Sequence, residues 1–234
     1  MEQDRTRPTV AIVDYGLGNL FSVKQACEHA GLEAEVTSTA AQILGAAAVI
    51  LPGVGAFGNA MDALRRLDLV TVIQEVSTGD KPLLGICLGA QLLLEESEEF
   101  GAHRGLGVLK GRVVSLGSPR AGDRRLKVPQ VGWNRVRWPR EAHDDPWHGT
   151  LLQGQANGEF MYFVHSFILR PEDMGVVLST SSYGHVDFCS AVAWGNVTAF
   201  QFHPERSGPQ GLRVYDRLAE RIQLSEDAAE RASV

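Results

Sequence analysis

Cysteine is scarce in this chain, and its scarcity excludes two classes of protein. Three cysteines, Cys27, Cys87 and Cys189, occur among 234 residues, an odd number at wide spacing with no Cys-x-x-Cys pair. This pattern fits neither a disulfide framework nor a zinc site. We therefore expect reduced thiols, no bound metal and a cytoplasmic protein.

Long apolar runs and clusters of basic residues are also missing. No run approaches the roughly 20 apolar residues that a membrane-spanning helix requires, and residues 1–8 are polar and charged rather than apolar. Lysine and arginine total 22 against 28 acidic residues, which gives a net charge of −6 without a dense basic cluster. We therefore expect no nucleic acid or membrane partner and no export.

The chain is long enough, and at 44% hydrophobic residues apolar enough, for one large domain. Alternating segments predict strands at 9–14, 33–37 and 48–51 and helices at 20–30, 40–44, 59–67 and 69–76, which favours a parallel sheet covered by helices. After residue 105, short β-like segments predict additional antiparallel or mixed strands, followed by a helix at 212–224. We expect a flexible N terminus at 1–8, a single domain at 9–224 and a C-terminal tail at 225–234.

The first glycine-rich loop, which contains Gly16 and Gly18, follows the first predicted strand. A dinucleotide-binding fingerprint would need a third glycine, which is missing here, so an ordinary turn between strand and helix is favoured. No nucleotide cofactor is expected.

The strongest chemical signal is a Gly-x-Cys-x-Gly segment formed by Gly85, Cys87 and Gly89 between an apolar run and a helical pattern. Glycines on both sides of Cys87 allow strand and helix to pass close together at a sharp turn. At the start of a helix, peptide dipoles and free N–H groups favour a thiolate and can bind an oxyanion. The alternative is a buried cysteine with a packing role.

A possible base for Cys87 lies more than a hundred residues later. His203 follows an apolar strand pattern, and Glu205 comes two residues after it. The imidazole can take the proton of the thiol, while the carboxylate fixes the imidazole tautomer. Alternatively, His203 is structural and Glu205 caps a helix. The combination of both motifs predicts a Cys-His-Glu triad.

Residues 85–91 and 201–205 closely resemble the corresponding motifs of class I glutamine amidotransferases. Further blocks at 14–20, 52–57, 132–134, 162–166 and 203–208 look like the glutaminase subunits of imidazole glycerol phosphate synthases. The resemblance implies an α/β fold with a central, mostly parallel sheet and additional antiparallel strands. It also implies glutamine hydrolysis for histidine biosynthesis, with no cofactor, and a (β/α)8-barrel cyclase as partner in a heterodimer, which receives ammonia through a channel.

The resemblance assigns roles residue by residue. It implies that Cys87 is the nucleophile, His203 the general base and acid, and Glu205 the residue that orients His203. The remaining assignments are the backbone N–H groups of Val54 and Leu88 for an oxyanion hole; Gly53, Gln91, Glu99 and Ser166 for substrate binding, with Glu99 at the ammonium group; and Asn19, Trp133 and Arg206 for the partner interface.

Some positions depart from the commonest family pattern. Gln130 replaces a histidine, Ala90 a methionine and Arg206 a lysine, and none of these changes removes a triad member. A structural role is favoured for His165. Alternative functions are the glutaminase of another synthase, a non-catalytic regulatory subunit and, least favoured, a cysteine peptidase.

Overall fold

The structure is a computed structural model that describes residues 7–140, 142 and 144–232. Most of the predicted flexible N terminus, residues 1–6, lies outside the described residues. The α-helices are α1 Leu20–His29, α2 Ala40–Gly45, α3 Phe57–Arg66, α4 Leu69–Thr78, α5 Leu88–Leu92 and α6 Gly208–Ala232. The strands are β1 Thr9–Val13, β2 Glu33–Thr37, β3 Ala48–Leu51, β4 Leu83–Ile86, β5 Leu94–Ser97, β6 His103–Arg104, β7 Leu109–Ser115, β8 Arg120–Ala121, β9 Arg124–Arg125, β10 Gln130–Val136, β11 Glu159–His165, β12 Phe167–Pro171, β13 Val177–Tyr183, β14 Val186–Trp194 and β15 Val197–Phe200.

One large sheet organises the described residues, in the order β2-β1-β3-β4-β15-β14-β12-β7-β5-β6, with β13 paired to β14. The five strands from β2 to β15 are mutually parallel, whereas β14, β12 and β7 continue the sheet in antiparallel pairs. The predicted fold class is therefore confirmed. β15 comes from the C-terminal half but lies beside β4, and this brings two distant parts of the chain together.

The parallel strands are buried on both faces, which explains their continuous apolar sequence. In β1, Ala11 and Val13 face one core cluster, and Val10 and Ile12 face another. Buried residues of α2, α3 and α4 belong to the first cluster, and those of α1 and α6 to the second. The sheet is thus covered by helices on both sides, as the alternating pattern predicts.

The predicted helix over residues 89–96 was wrong in its second half. α5 ends at Leu92, and β5 begins at Leu94, which pairs in parallel with Leu109. The carbonyls of Leu92 and Leu94 also accept hydrogen bonds from the N–H groups of Leu106 and Gly107. Pairing with a later segment therefore outweighed the local helical pattern.

Two further differences concern the C-terminal half. The helix predicted to end at residue 224 is α6, which begins at Gly208 and continues to Ala232, so most of the expected tail is helical. Residues 233 and 234 lie outside the described residues. β12 was not predicted, although it joins β14 to β7 in the sheet. Among the described helices, α6 included, none is both long enough and apolar enough to cross a membrane.

Candidate active site

Cys87 occupies the sharp turn between β4 and α5. Its backbone has φ 54° and ψ −108°, a positive φ that is uncommon for a residue other than glycine. The Cys87 N–H donates to the Phe200 carbonyl of the neighbouring β15 at 2.7 Å, which holds the turn against the sheet. Such a turn lifts a nucleophile from the end of a strand to the start of a helix.

The glycines on either side of Cys87 are required by space. A Cβ on Gly89 would lie 1.8 Å from the Leu51 carbonyl oxygen, and a Cβ on Gly85 would lie 3.0 Å from the Ala90 Cα. β3, β4 and α5 can therefore approach each other only because both positions are glycine.

His203 lies just beyond β15, at the same edge of the sheet as Cys87, because β15 and β4 are adjacent and parallel. Its Nδ1 is 2.8 Å from Glu205 Oε1, and both side chains are buried. A short 3-10 helix, Pro204–Arg206, follows His203 and includes Glu205. The tight turn lets a carboxylate two residues away reach the imidazole.

The charges around His203 decide its protonation. Burial lowers the pKa of His203, but the Cys87 sulfur and then Glu205 favour the imidazolium and raise this pKa to about 10. The second ring nitrogen, Nε2, is buried and makes no hydrogen bond of normal geometry to any described residue. Among the effects that raise this pKa, the electrostatic effect of Cys87 is the largest, ahead of the side-chain interactions with Cys87 and Glu205.

Cys87 borders a cavity of about 240 Å³ that brings together six of the twelve predicted site residues, with His203 and Glu205 not among those that line it. The predicted residues lining the cavity are Val54, Cys87, Leu88, Gln91, Glu99 and Ser166; the others are Gly55, Pro129, Val164, His165 and Phe167. Gly53 is adjacent to Val54, and its missing Cβ would touch Leu88 at 3.0 Å. This volume suits a small molecule.

The two predicted oxyanion donors are not both available in this conformation. The Leu88 N–H donates to the Gly53 carbonyl at 3.3 Å. Since the carbonyl and the N–H of a trans peptide point in opposite directions, the Val54 N–H of the same peptide is turned away from Leu88. Rotation of the Gly53–Val54 peptide would free the first donor and present the second.

Polar groups for an amino acid are present in the cavity. The Gln91 side-chain nitrogen donates to the Phe167 carbonyl and to Gln201 Oε1, both at 3.1 Å. One carboxylate oxygen of Glu99 accepts the Phe57 N–H at 2.6 Å. Glu99 is also among the residues that line the cavity.

Sequence reasoning missed two residues that contact this site. Gln201 is fully buried, and its side-chain nitrogen lies 3.8 Å from Cys87 Sγ. Its position two residues before His203, on the same face of an extended segment, was the available signal. Tyr15, whose hydroxyl donates to the Pro52 carbonyl at 2.7 Å, gave no such signal because its contact is 37 residues away in sequence.

Two of the predicted interface residues meet on the ring of Tyr162, a third residue that the sequence did not single out. The Arg206 guanidinium lies 4.5 Å from the centre of this ring, and Trp133 packs edge-on against it at 6.1 Å. Asn19 lies elsewhere in the chain as the N-cap of α1, where its side chain accepts the Ser22 N–H at 3.5 Å.

Gln130, which departs from the family pattern, lies next to His165 in the structure. Gln130 is buried opposite His165 in the pairing of β10 with β11, and its side-chain oxygen has no hydrogen-bond partner among the described residues. His165 packs against Phe163 and Phe188, and burial lowers its pKa to about 4. His165 is therefore a neutral member of the cavity wall.

A comparison against protein-family models identifies the class to which this chain belongs. The model described as "Glutamine amidotransferase class-I" matches residues 11–219. The chain therefore belongs to the class I glutamine amidotransferases.

Similarity to individual proteins identifies a narrower family within this class. The chain is 48% identical to the imidazole glycerol phosphate synthase subunit HisH of Rhodopirellula baltica over 90% of this chain and 96% of the relative, and 45% identical to that of Aquifex aeolicus over 90% and 97%. Within its class, the chain belongs to this family of synthase subunits. The structure of PurLQS from Thermotoga maritima is similar in fold, with a TM-score of 0.67 and 20% identity over 94% of this chain and 100% of that one.

Proposed function

We propose that this chain hydrolyses the side-chain amide of glutamine and passes the ammonia to the cyclase subunit of an imidazole glycerol phosphate synthase. The observation that carries the proposal is the placement of Cys87 on a strained turn beside the buried His203–Glu205 pair. The cyclase, a (β/α)8 barrel in this proposal, uses the ammonia to form imidazole glycerol phosphate and an aminoimidazole carboxamide ribotide. The two subunits form a heterodimer with a protected ammonia channel.

The proposed reaction has two steps. The Cys87 thiolate attacks the amide carbon to form a C–S bond, and the tetrahedral intermediate breaks its C–N bond as His203 protonates the departing ammonia. His203 then takes a proton from water, which attacks the thioester and releases glutamate and the thiolate. The raised pKa of His203 supports its role as the acid of the first step.

An oxyanion hole formed by Val54 and Leu88 is proposed to be assembled by the partner. In the isolated chain the Leu88 N–H is occupied by the Gly53 carbonyl. Docking of the cyclase with its nucleotide ligand would favour the rotated Gly53–Val54 peptide, in which both N–H groups point at the oxyanion. Glutamine hydrolysis without an acceptor for ammonia would thereby be suppressed.

Substrate glutamine is proposed to place its amino-acid end between Glu99 and Gln91. Because Glu99 keeps one oxygen on the Phe57 N–H, its carboxylate is fixed while the other oxygen binds the ammonium group. Gln91 is held through its nitrogen, which leaves its oxygen to accept a hydrogen bond from the substrate. Ser166 and the Gly53 backbone are the further proposed contacts.

The partner surface is proposed to contain Asn19, Trp133 and Arg206. Trp133 is 55% exposed and Arg206 is exposed, and large aromatic and arginine side chains are the types that dominate interfaces. The Tyr162 carbonyl accepts the His203 N–H at 2.9 Å, which connects this surface directly to the triad.

A cytoplasmic location is proposed because the mechanism needs Cys87 as a free thiol, and the three cysteines are free in the structure.

The test is ammonia release from glutamine by the purified chain, alone and with a barrel cyclase and its nucleotide ligand. We expect strong activation only in the mixture. Cys87→Ala should abolish glutamine-dependent synthesis and preserve synthesis from added ammonia, because only the partner performs cyclisation. Cys189→Ala, which changes another buried thiol, is the matched control and should retain both activities. Glutamine-dependent synthesis by Cys87→Ala would refute the mechanism.

A further inference from the structure

Tyr15 is a buried residue that has no part in the proposed bond-breaking steps. It follows β1, is only 2% exposed, and belongs to the same core cluster as Leu51 and Leu88. Its hydroxyl donates to the Pro52 carbonyl at 2.7 Å. A tyrosine in this core thus holds the backbone segment that leads to Val54.

Two successive carbonyls of that segment are held with different strength. The Pro52 carbonyl accepts the short hydrogen bond from Tyr15, whereas the next carbonyl, that of Gly53, accepts the longer 3.3 Å bond from the Leu88 N–H. Hydrogen bonds weaken as they lengthen beyond about 3 Å. A rotation would therefore break the Gly53 bond and leave the Pro52 bond in place.

The Tyr15 hydroxyl also lies against the point of rotation. A Cβ on Gly53 would lie 2.2 Å from this oxygen and 3.0 Å from Leu88 Cβ. Gly53 is therefore enclosed between Tyr15 on one side and the start of α5 on the other. The hydroxyl therefore lies next to the Gly53 Cα, at which a rotation of the Gly53–Val54 peptide begins.

The phenol remains a hydrogen-bond donor under all working conditions. Burial, and then the charge of Cys87, raise the pKa of Tyr15 well above its usual value of 10.0. The hydroxyl is thus neutral whether Cys87 is a thiol or a thiolate, and it can donate to the Pro52 carbonyl in either state.

We propose that Tyr15 is a positioning residue whose hydroxyl fixes the Pro52–Gly53 peptide, so that rotation is confined to the Gly53–Val54 peptide and delivers the Val54 N–H to the oxyanion. This inference rests on the proposed function, because it assumes the oxyanion role of Val54 and Leu88. Tyr15 lies outside the cavity, and its hydrogen bond determines which of the two peptides can rotate.

The first test is Tyr15→Phe in the complete complex with the cyclase and its ligand. Loss of one hydrogen bond that holds the oxyanion donor should lower kcat roughly fivefold to tenfold and leave KM within about twofold. The affinity for glutamate γ-semialdehyde, which forms a tetrahedral adduct with Cys87, should fall by the same factor as kcat/KM. Alkylation of Cys87 by iodoacetamide should keep its rate, because this reaction forms no oxyanion.

Tyr183→Phe is the matched control variant. Tyr183 also donates its hydroxyl to a backbone carbonyl, that of Lys127 at 3.0 Å, but neither residue lines the cavity. This variant should leave kcat, aldehyde affinity and alkylation unchanged. Calorimetric titration with the cyclase should give both variants the affinity of the unmodified chain, which shows that the complex is intact.

A second measurement uses the unmodified sequence and does not depend on the folding of a variant. With 13C labels in the carbonyls of Pro52 and Gly53, assembly of the isolated chain with the cyclase, its ligand and the aldehyde should shift the Gly53 resonance and leave the Pro52 resonance in place. Equal movement of both resonances would overturn the inference, as would normal kcat and aldehyde affinity in Tyr15→Phe, or parallel losses of kcat and alkylation rate. Failure of the proposed function would instead appear in the unmodified complex, as absence of glutamine hydrolysis.

Discussion

His203 and His165 are both buried, yet their surroundings change their protonation in opposite directions. Burial lowers the pKa of His165 to about 4, and the hydrogen bond of its Nδ1 with the Phe167 carbonyl does not offset this cost. The same cost applies to His203, but the negative groups Cys87 and Glu205 exceed it and raise the pKa to about 10. Charged neighbours therefore decide which histidine can act as an acid.

Glu205→Gln tests this account of His203. Because the pKa of His203 in the folded state lies above its usual value of 6.5, its proton stabilises the fold. This contribution is complete below about pH 6.5 and is lost as the pH rises towards 10. With the carboxylate removed, the loss should occur at lower pH. We expect this shift in urea unfolding from pH 6 to 10 and in the 15N resonances of His203, with kcat lower by roughly one to two orders of magnitude.

Glu220→Gln provides the control for this substitution. Glu220 pairs with Arg217 on the exposed surface, so the variant removes an acidic charge of the same kind away from His203. It should leave the titration of His203 and the value of kcat unchanged. An unchanged His203 titration in Glu205→Gln would contradict the assignment of Glu205 as its charged partner.

At the scale of elements, local sequence predicted those that are defined by their own periodicity. β1 and α1 were predicted to within one residue at each end, because an apolar run and a helical spacing are local properties. The segment after Cys87 was not, because Leu94 is apolar in either a helix or a strand. Its state is decided by Leu109, with which it pairs.

Gly89→Ala tests the packing between β3 and α5. The added Cβ would lie 1.8 Å from the Leu51 carbonyl oxygen, and backbone must move to accept it. We expect the free energy of unfolding to fall by about 3 kcal/mol or more in urea denaturation, with loss of glutaminase activity. Gly45→Ala at the end of α2, where a Cβ meets nothing within 4 Å, should be neutral or slightly stabilising. Equal stability of the two variants would contradict the close approach.

At the scale of the whole molecule, Cys87 and His203 lie at the same edge of the sheet. β4 and β15 both end there, and the hydrogen bond from the His203 N–H to the Tyr162 carbonyl attaches the two-stranded sheet of β10 and β11 to the same edge. The triad and the proposed docking surface therefore share backbone contacts. A partner bound at this surface is close enough to affect the chemistry.

Trp133→Ala should weaken binding to the cyclase at least about tenfold, because an exposed aromatic side chain that packs on Tyr162 is a typical anchor of an interface. Trp194→Ala is the matched control: Trp194 is 48% exposed but pairs with Val197 at the opposite end of β15. Calorimetric titration with the cyclase measures both affinities. Equal effects of the two substitutions would remove Trp133 from the proposed interface.

The sequence by itself determined the α/β class, the parallel strands and the residues of the proposed triad, because these depend on local periodicity and on residue types in short motifs. Only the tertiary structure decided that β15 lies beside β4, that Gln201 contacts Cys87 and Tyr15 contacts Pro52, and that the Leu88 N–H is occupied by Gly53. These features depend on contacts between segments far apart in the chain. These contacts contribute free energy only when folding brings the distant segments together, so no local sequence pattern can predict them.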